Sequence, residues 1–304
     1  MENTQDKRAS LLWDQGHALG ECVLWDEQQG LWWWTDIAGA RLWRAAPGAP
    51  PQSRALPQGV GSFALTGEPD QLVLAMEGGL AHCHWASGRL DMIDAGLQLR
   101  AGTRLNDGRC DRAGNFVFGS MDLACTHALG QWWRYQPDGR LLALALPAVV
   151  ISNSSCFSPD GGTFYFCDST AKRIMACDYA ADSGHIGNLR VFADTSGQEG
   201  VPDGSCIDAQ GCLWNARWGA GKVQRLRPDG QLDAEIAVPV SQPSCVAIGG
   251  AGWDQLCISS AHWGLSAQQR SQQPLAGGMF GVSLGQPLGL PESRFGVSGG
   301  ADHA

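Results

Sequence analysis

The sequence predicts an all-β chain folded as a six-bladed β-propeller, and three observations carry that prediction. Its 304 residues include 41 Gly and 13 Trp, a pairing of tight-turn formers with large flat side chains that suits many hairpins. Helical periodicity is scarce; short apolar runs recur instead, each followed by a polar or Gly-containing turn and a second such run. These units return about every 40 to 50 residues, the size of one four-stranded blade.

Taken in order, the first unit is LWWWTDIAGARLWRAAPG from Leu31, and the second is LVLAMEGGLAHCHWASG from Leu72. The third, NFVFGSMD followed by GQWWRYQPDG, opens at Asn115 just after the turn DRAGN. TFYFCDSTAKRIMACDYA from Thr163 is the fourth, and CLWNARWGAGKVQRLRPDG from Cys212 the fifth. The sixth joins QLCISSAHWG from Gln255 to GGMFGVSLG. The PDG triplets at Pro137, Pro159 and Pro228 are tight turns between strands. A blade buries its faces only against its neighbours, so the repetition itself signals the architecture. The units leave no linker, and 1–304 is expected to form one propeller domain with short polar tails over about 1–10 and 297–304. The signatures of WD40 repeats are absent. A pair of β-sandwiches is the competing architecture, which the even period disfavours.

Composition narrows the function classes. Hydrophobic residues make up 44% and charged residues 17%, a globular balance. A net charge of -9, with no run of Lys and Arg, argues against a nucleic-acid partner, because phosphate binding needs basic patches. No stretch approaches the roughly 18 apolar residues that span a bilayer, and MENTQDKRAS lacks an apolar secretory segment. The 11 cysteines are scattered singly without a CxxC pair, which suits buried free thiols in a reducing cytoplasm and speaks against a zinc–thiolate site.

Four stretches are oddly polar beside apolar strands, and in a propeller the segments at one end of every blade surround a central channel. ALGECVLWD carries Glu21; RLNDG carries Arg104, Asn106 and Asp107; VISNSSCFSPDG carries Asn153; GVPDGSCIDAQGCLW carries Asp203. Each alone reads as an ordinary polar turn. Together they offer two carboxylates and an amide, an all-oxygen set suited to a hard divalent cation that keeps open positions.

These same stretches, LGE…LWD…LWWWTDI, RLNDGRCDRAGNFVFGSM, SNSSCFSPDGGTFYFCDS and VPDGSCIDAQGCLWNARWGAGKVQRLRPDG, resemble the gluconolactonase/regucalcin (senescence-marker-protein) family of sugar lactonases. The likeness runs from about Gly20 to the AGGMFGV strand near Gly277. It implies a six-bladed propeller with one divalent metal in the central channel, held by Glu21, Asn153 and Asp203. Ca2+ is the leading expectation, with Zn2+, Mn2+, Mg2+ and Fe2+ as alternatives. Substrate contacts are implied at Arg104 and Asn106. Cys22 and Ser154 stand where many relatives carry Gly. The acidic substrate contact of some relatives falls nearer Ala124, with Asp122 as its stand-in.

The function so implied is metal-dependent opening of a sugar-acid lactone (a glucono-, galactono- or arabinonolactone) to the aldonic acid in carbohydrate catabolism. Asp203 is the candidate to orient or deprotonate the attacking water while touching the metal, and a small neutral lactone is the expected partner. The competing reading is a calcium-binding regulatory protein without turnover. Other constellations are weaker. His82 and His84 form an HxH on one strand face with no evident carboxylate partner; no phosphate loop and no GxSxG elbow is present.

Overall fold

The computed structural model describes residues 7–298. Six four-stranded sheets stand around a central axis, giving the expected all-β propeller. The strands in each sheet pair in antiparallel fashion, from Gly20–Asp26 with Leu31–Asp36 onward. Among the described residues, helix is confined to a six-residue segment, Ala267–Gln272, and one 3-10 turn at Ser169–Ala171.

The repeats read from the sequence mark the second strand of each blade. Leu31–Asp36, Gln71–Met76, Phe116–Asp122, Thr163–Asp168, Leu213–Trp218 and Gln255–Ser260 all occupy that place. Their aromatic and branched residues are buried on both faces because each sheet is covered by a neighbour on either side. The core accordingly divides into clusters at blade interfaces. Leu24, Trp33 and Leu42 of the first blade pack with Phe63, Leu74 and Cys83 of the second. Trp132 of the third packs with Phe164 and Phe166 of the fourth.

The first strand of each blade is not evident from the periodicity. These strands are Gly20–Asp26, Val60–Leu65, Thr103–Cys110, Ser152–Phe157, Val201–Ile207 and Pro243–Gly249. They pack against one another around the axis and so line the channel. The polar stretches expected to be loops are therefore inner strands. All six carry a register shift, among them Glu21/Leu24, Leu105/Gly108, Asn153/Cys156 and Pro202/Ser205. A bulge of this kind twists the strand and re-aims side chains. Cys22 (φ 49°) and Ser154 (φ 61°) lie in two of the bulges in the left-handed region, a conformation that favours Gly.

Two features close the ring. Ser10–Trp13 pairs with Met279–Ser283, so the last blade is completed by the first strand of the chain. Ala9 is buried and Arg8 bridges to Ala237, so part of the segment expected as a tail belongs to the propeller body. Beyond Ser283 the chain crosses the far end of the channel as a strap. Leu288 N–H donates to Trp253 O (2.8 Å), and Phe295 N–H donates to Leu65 O (2.7 Å). Glu292 forms a two-pronged ion pair with Arg109 (2.9 and 2.6 Å), and Arg294 reaches Asp26 at 2.6 Å. Residues 1–6 and 299–304, the remainder of the expected tails, lie outside the described residues.

Candidate active site

Side chains two apart on a strand share a face, and this spacing builds the cavity at the other mouth of the channel in two layers. Leu19 with Glu21, Arg104 with Asn106, Ile151 with Asn153, and Val201 with Asp203 all line one cavity of about 250 Å3. The deeper member of each pair is Glu21, Asn106, Asn153 or Asp203, every one polar. Among the upper members only Arg104 is. Met121, Cys125, Ser169, Trp218 and Trp263 complete the lining.

A chain of hydrogen bonds sets the orientation of the amides. Arg104 Nη1 donates to Leu105 O (2.9 Å) and to Asn106 Oδ1 (2.7 Å). Asn106 Nδ2 donates to Ser152 O (2.7 Å) and, more weakly, to Asn153 Oδ1 (3.3 Å). Asn153 Nδ2 donates to Ser169 Oγ (2.9 Å), whose own proton goes to Pro202 O (2.7 Å). With its nitrogen committed to Ser169, Asn153 presents its oxygen on the side of Asn106 and the cavity. Asp203 is held through its backbone: its carbonyl accepts from Ser154 Oγ (2.8 Å) and Asn215 Nδ2 (2.9 Å).

The electrostatics are those of carboxylates crowded out of water. Burial pushes the Glu21 carboxyl well above the usual range, the Asp203 and Asp107 charges push it further, and Arg104 opposes them. Burial, then Asp107, likewise raises Asp203. Asp107 is itself raised by burial, although Ser155 N–H donates to it at 2.7 Å. That bond ties the third blade to the fourth, so Asp107 braces the site across an interface. Arg104 is held below its ordinary value by its own burial.

Asp122 does not join this cavity. Its carboxylate accepts from Ala124 N–H (3.2 Å), Thr126 N–H (3.0 Å), Thr126 Oγ1 (3.2 Å) and His127 N–H (2.9 Å). These bonds lower its pKa to about 2 and commit it to holding the loop that carries Cys125 to the rim. Sequence reasoning missed Ser169, Trp218 and Trp263. Ser169 lies in an ordinary-looking turn, and only the fold brings it under Asn153. His82, by contrast, does face a carboxylate, since Asp91 is its cross-strand partner. No group of three His, Cys, Asp or Glu side chains suited to a metal occurs among the described residues.

The donor set at the channel does fit a hard cation. Two crowded carboxylates share the cavity with one guanidinium, and that guanidinium is engaged by Leu105 and Asn106. The third donor is an oriented amide oxygen. An added divalent cation would offset the burial, and then the repulsion, that raise both carboxyls.

The family model described as the SMP-30/Gluconolactonase/LRE-like region matches residues 19–262. An L-arabinolactonase of Azospirillum brasilense is 41% identical over 291 residues, covering 95% of either chain. The regucalcin of Gallus gallus is 31% identical and covers 92% of this chain and 95% of its own. The solved structure of a calcium-binding protein, regucalcin, from Agrobacterium tumefaciens superimposes with a TM-score of 0.89 at 30% identity, covering 98% of this chain and 100% of that one.

Proposed function

The chain belongs to the SMP-30/gluconolactonase/LRE-like family, and from that premise we propose that it hydrolyses a sugar-acid lactone to the aldonic acid. The observation that carries the reading is the meeting of Glu21, Asn153 and Asp203 with Arg104 and Asn106 in one cavity. Metal binding alone would need only the first three. The likeness to an L-arabinolactonase supports a pentonolactone as the first substrate to test.

Glu21, Asn153 and Asp203 would hold one divalent metal, with Ca2+ favoured by the all-oxygen donor set. Bound there, it supplies Lewis-acid polarisation of the lactone carbonyl, worth several kcal/mol of transition-state stabilisation. The chain's own residues do the rest. Arg104 hydrogen-bonds a ring hydroxyl or ring oxygen, and Asn106, fixed through Arg104 and Ser152, keeps that guanidinium aimed. Asp203 takes a proton from the attacking water. The water oxygen bonds to the carbonyl carbon, the ring C–O bond breaks, and the departing oxygen takes the proton back. One water is consumed and a hydroxy acid released.

Ten buried and unpaired cysteines support residence in a reducing compartment such as the cytoplasm. A binding protein without turnover is the second reading, favoured by the likeness to a calcium-binding regucalcin. Acid release from pentono- and hexonolactones, measured after exhaustive chelation and with each divalent metal restored, separates the two. Metal-restored hydrolysis supports the lactonase. Metal binding without hydrolysis of any lactone supports the second reading, and full activity without metal refutes the metal mechanism.

A further inference from the structure

We infer that the upper layer of the cavity selects lactones with a C–H-rich exocyclic end, taking a 6-deoxyaldonolactone in preference to its 6-hydroxy counterpart. This rests on the lactonase reading above. With the carbonyl at the deep layer, the far end of the substrate meets Leu19, Met121, Ile151, Val201, Trp218 and Trp263. None of these side chains carries a carboxylate or an amide. Arg104 can serve a hydroxyl on one side only.

Two further observations sharpen the contrast. Asp122, the acidic group nearest this wall in sequence, turns both carboxylate oxygens to its own loop and does not line the cavity. Trp263 has a side chain 58% exposed on a backbone that is pinned. Its N–H donates to Ala18 O at 2.9 Å, and its carbonyl accepts from Gln242 Nε2 at 3.0 Å. An indole so held, on the same cavity as Trp218 from the neighbouring blade, offers flat apolar faces to C–H groups. A terminal hydroxyl pressed on that wall loses water and finds no acceptor for its proton among these side chains, the indole N–H groups being donors only, whereas a methyl group gains contact.

The test is kcat/KM for L-galactono-1,4-lactone against its 6-deoxy counterpart, L-fucono-1,4-lactone, with a pentonolactone as the reference substrate. The 6-deoxy lactone should be favoured about tenfold, the size expected for one unpartnered hydroxyl. In Trp263→Ala that preference should fall at least about threefold, through loss on the deoxy substrate, with the unfolding temperature unchanged. Equal kcat/KM for the pair, or a preference untouched by the substitution, overturns the inference while hydrolysis of the pentonolactone leaves the lactonase reading standing. Hydrolysis of none of the three overturns both.

Discussion

Replacing Glu21 by Gln should make the metal-free protein more stable and the enzyme nearly inactive. Folding buries Glu21 beside Asp203 and Asp107, with Arg104 and the Cys22 backbone N–H in its favour, and that guanidinium is already shared with Asn106 and Leu105. Gln keeps the shape and removes the charge. Relieving a strained functional position typically stabilises by about 0.5–2 kcal/mol. At roughly 2–4 °C per kcal/mol for a domain of this size, the unfolding temperature should rise by about 1–8 °C in chelator at neutral pH. The sign with pH follows from linkage. The Glu21 carboxyl is raised in the folded state, so its contribution is fully favourable below the unfolded value of about 4 and is lost as pH rises through the folded value. The advantage of the Glu21→Gln variant should therefore shrink as pH falls toward about 4. Added divalent metal should stabilise the wild-type chain more than the variant, and kcat/KM should fall by at least about a hundredfold. Paired thermal scans in chelator and in metal, from neutral pH downward, together with lactone kinetics on the same preparations, measure all of this. A variant less stable than wild type in chelator, with metal response intact, would refute the crowding of carboxylates as the organising feature of the site.

Arg104→Ala should lower kcat/KM for lactones about tenfold or more, about 1.4 kcal/mol, while isothermal titration shows metal affinity nearly unchanged. Ser169→Ala removes the partner of Asn153 Nδ2 and of Pro202 O, and should weaken divalent metal binding about 10- to 100-fold by the same titration. Asp203→Asn should abolish most lactone hydrolysis with the fold retained, as judged by circular dichroism. Glu292→Gln strands the Arg109 guanidinium at the far end of the channel; denaturant unfolding should show a loss of about 3 kcal/mol.

The outer parts of the blades are legible because their chemistry is periodic. LWWWTD and TFYFCD announce buried strands, and their spacing counts the blades. The inner strands read as loops for an equally physical reason. SNSSCF and VPDGSCI carry small and polar residues because they face a narrow polar channel, and their bulges break the alternation that would mark a strand. Glu21, Asn153 and Asp203 stand out as polar groups beside apolar strands and through motif likeness; the cavity they share with Arg104 and Asn106 is a matter of the ring, and their roles there are for the variants above to decide. Asp122 misleads because a carboxylate next to a site motif looks the same in sequence whether it faces a ligand or its own loop. Ser169 and Trp263 give no signal: Ser169 meets Asn153 only once the strands of its own blade pair, and Trp263 joins the cavity only when the blades assemble.

The strand that completes the last blade also dictates when the site comes into being. Ser10 meets Gly281 across 271 positions of chain, so the ring cannot shut until synthesis has passed Gly281. Hairpins within a blade can form as they emerge, but Glu21 sits in the first blade and Asp203 in the fifth. The first described strand waits for the sixth blade, which joins them on one side. The cavity is then the last thing the molecule acquires, and a ligand that bridges those two blades acts as a latch on the finished circle.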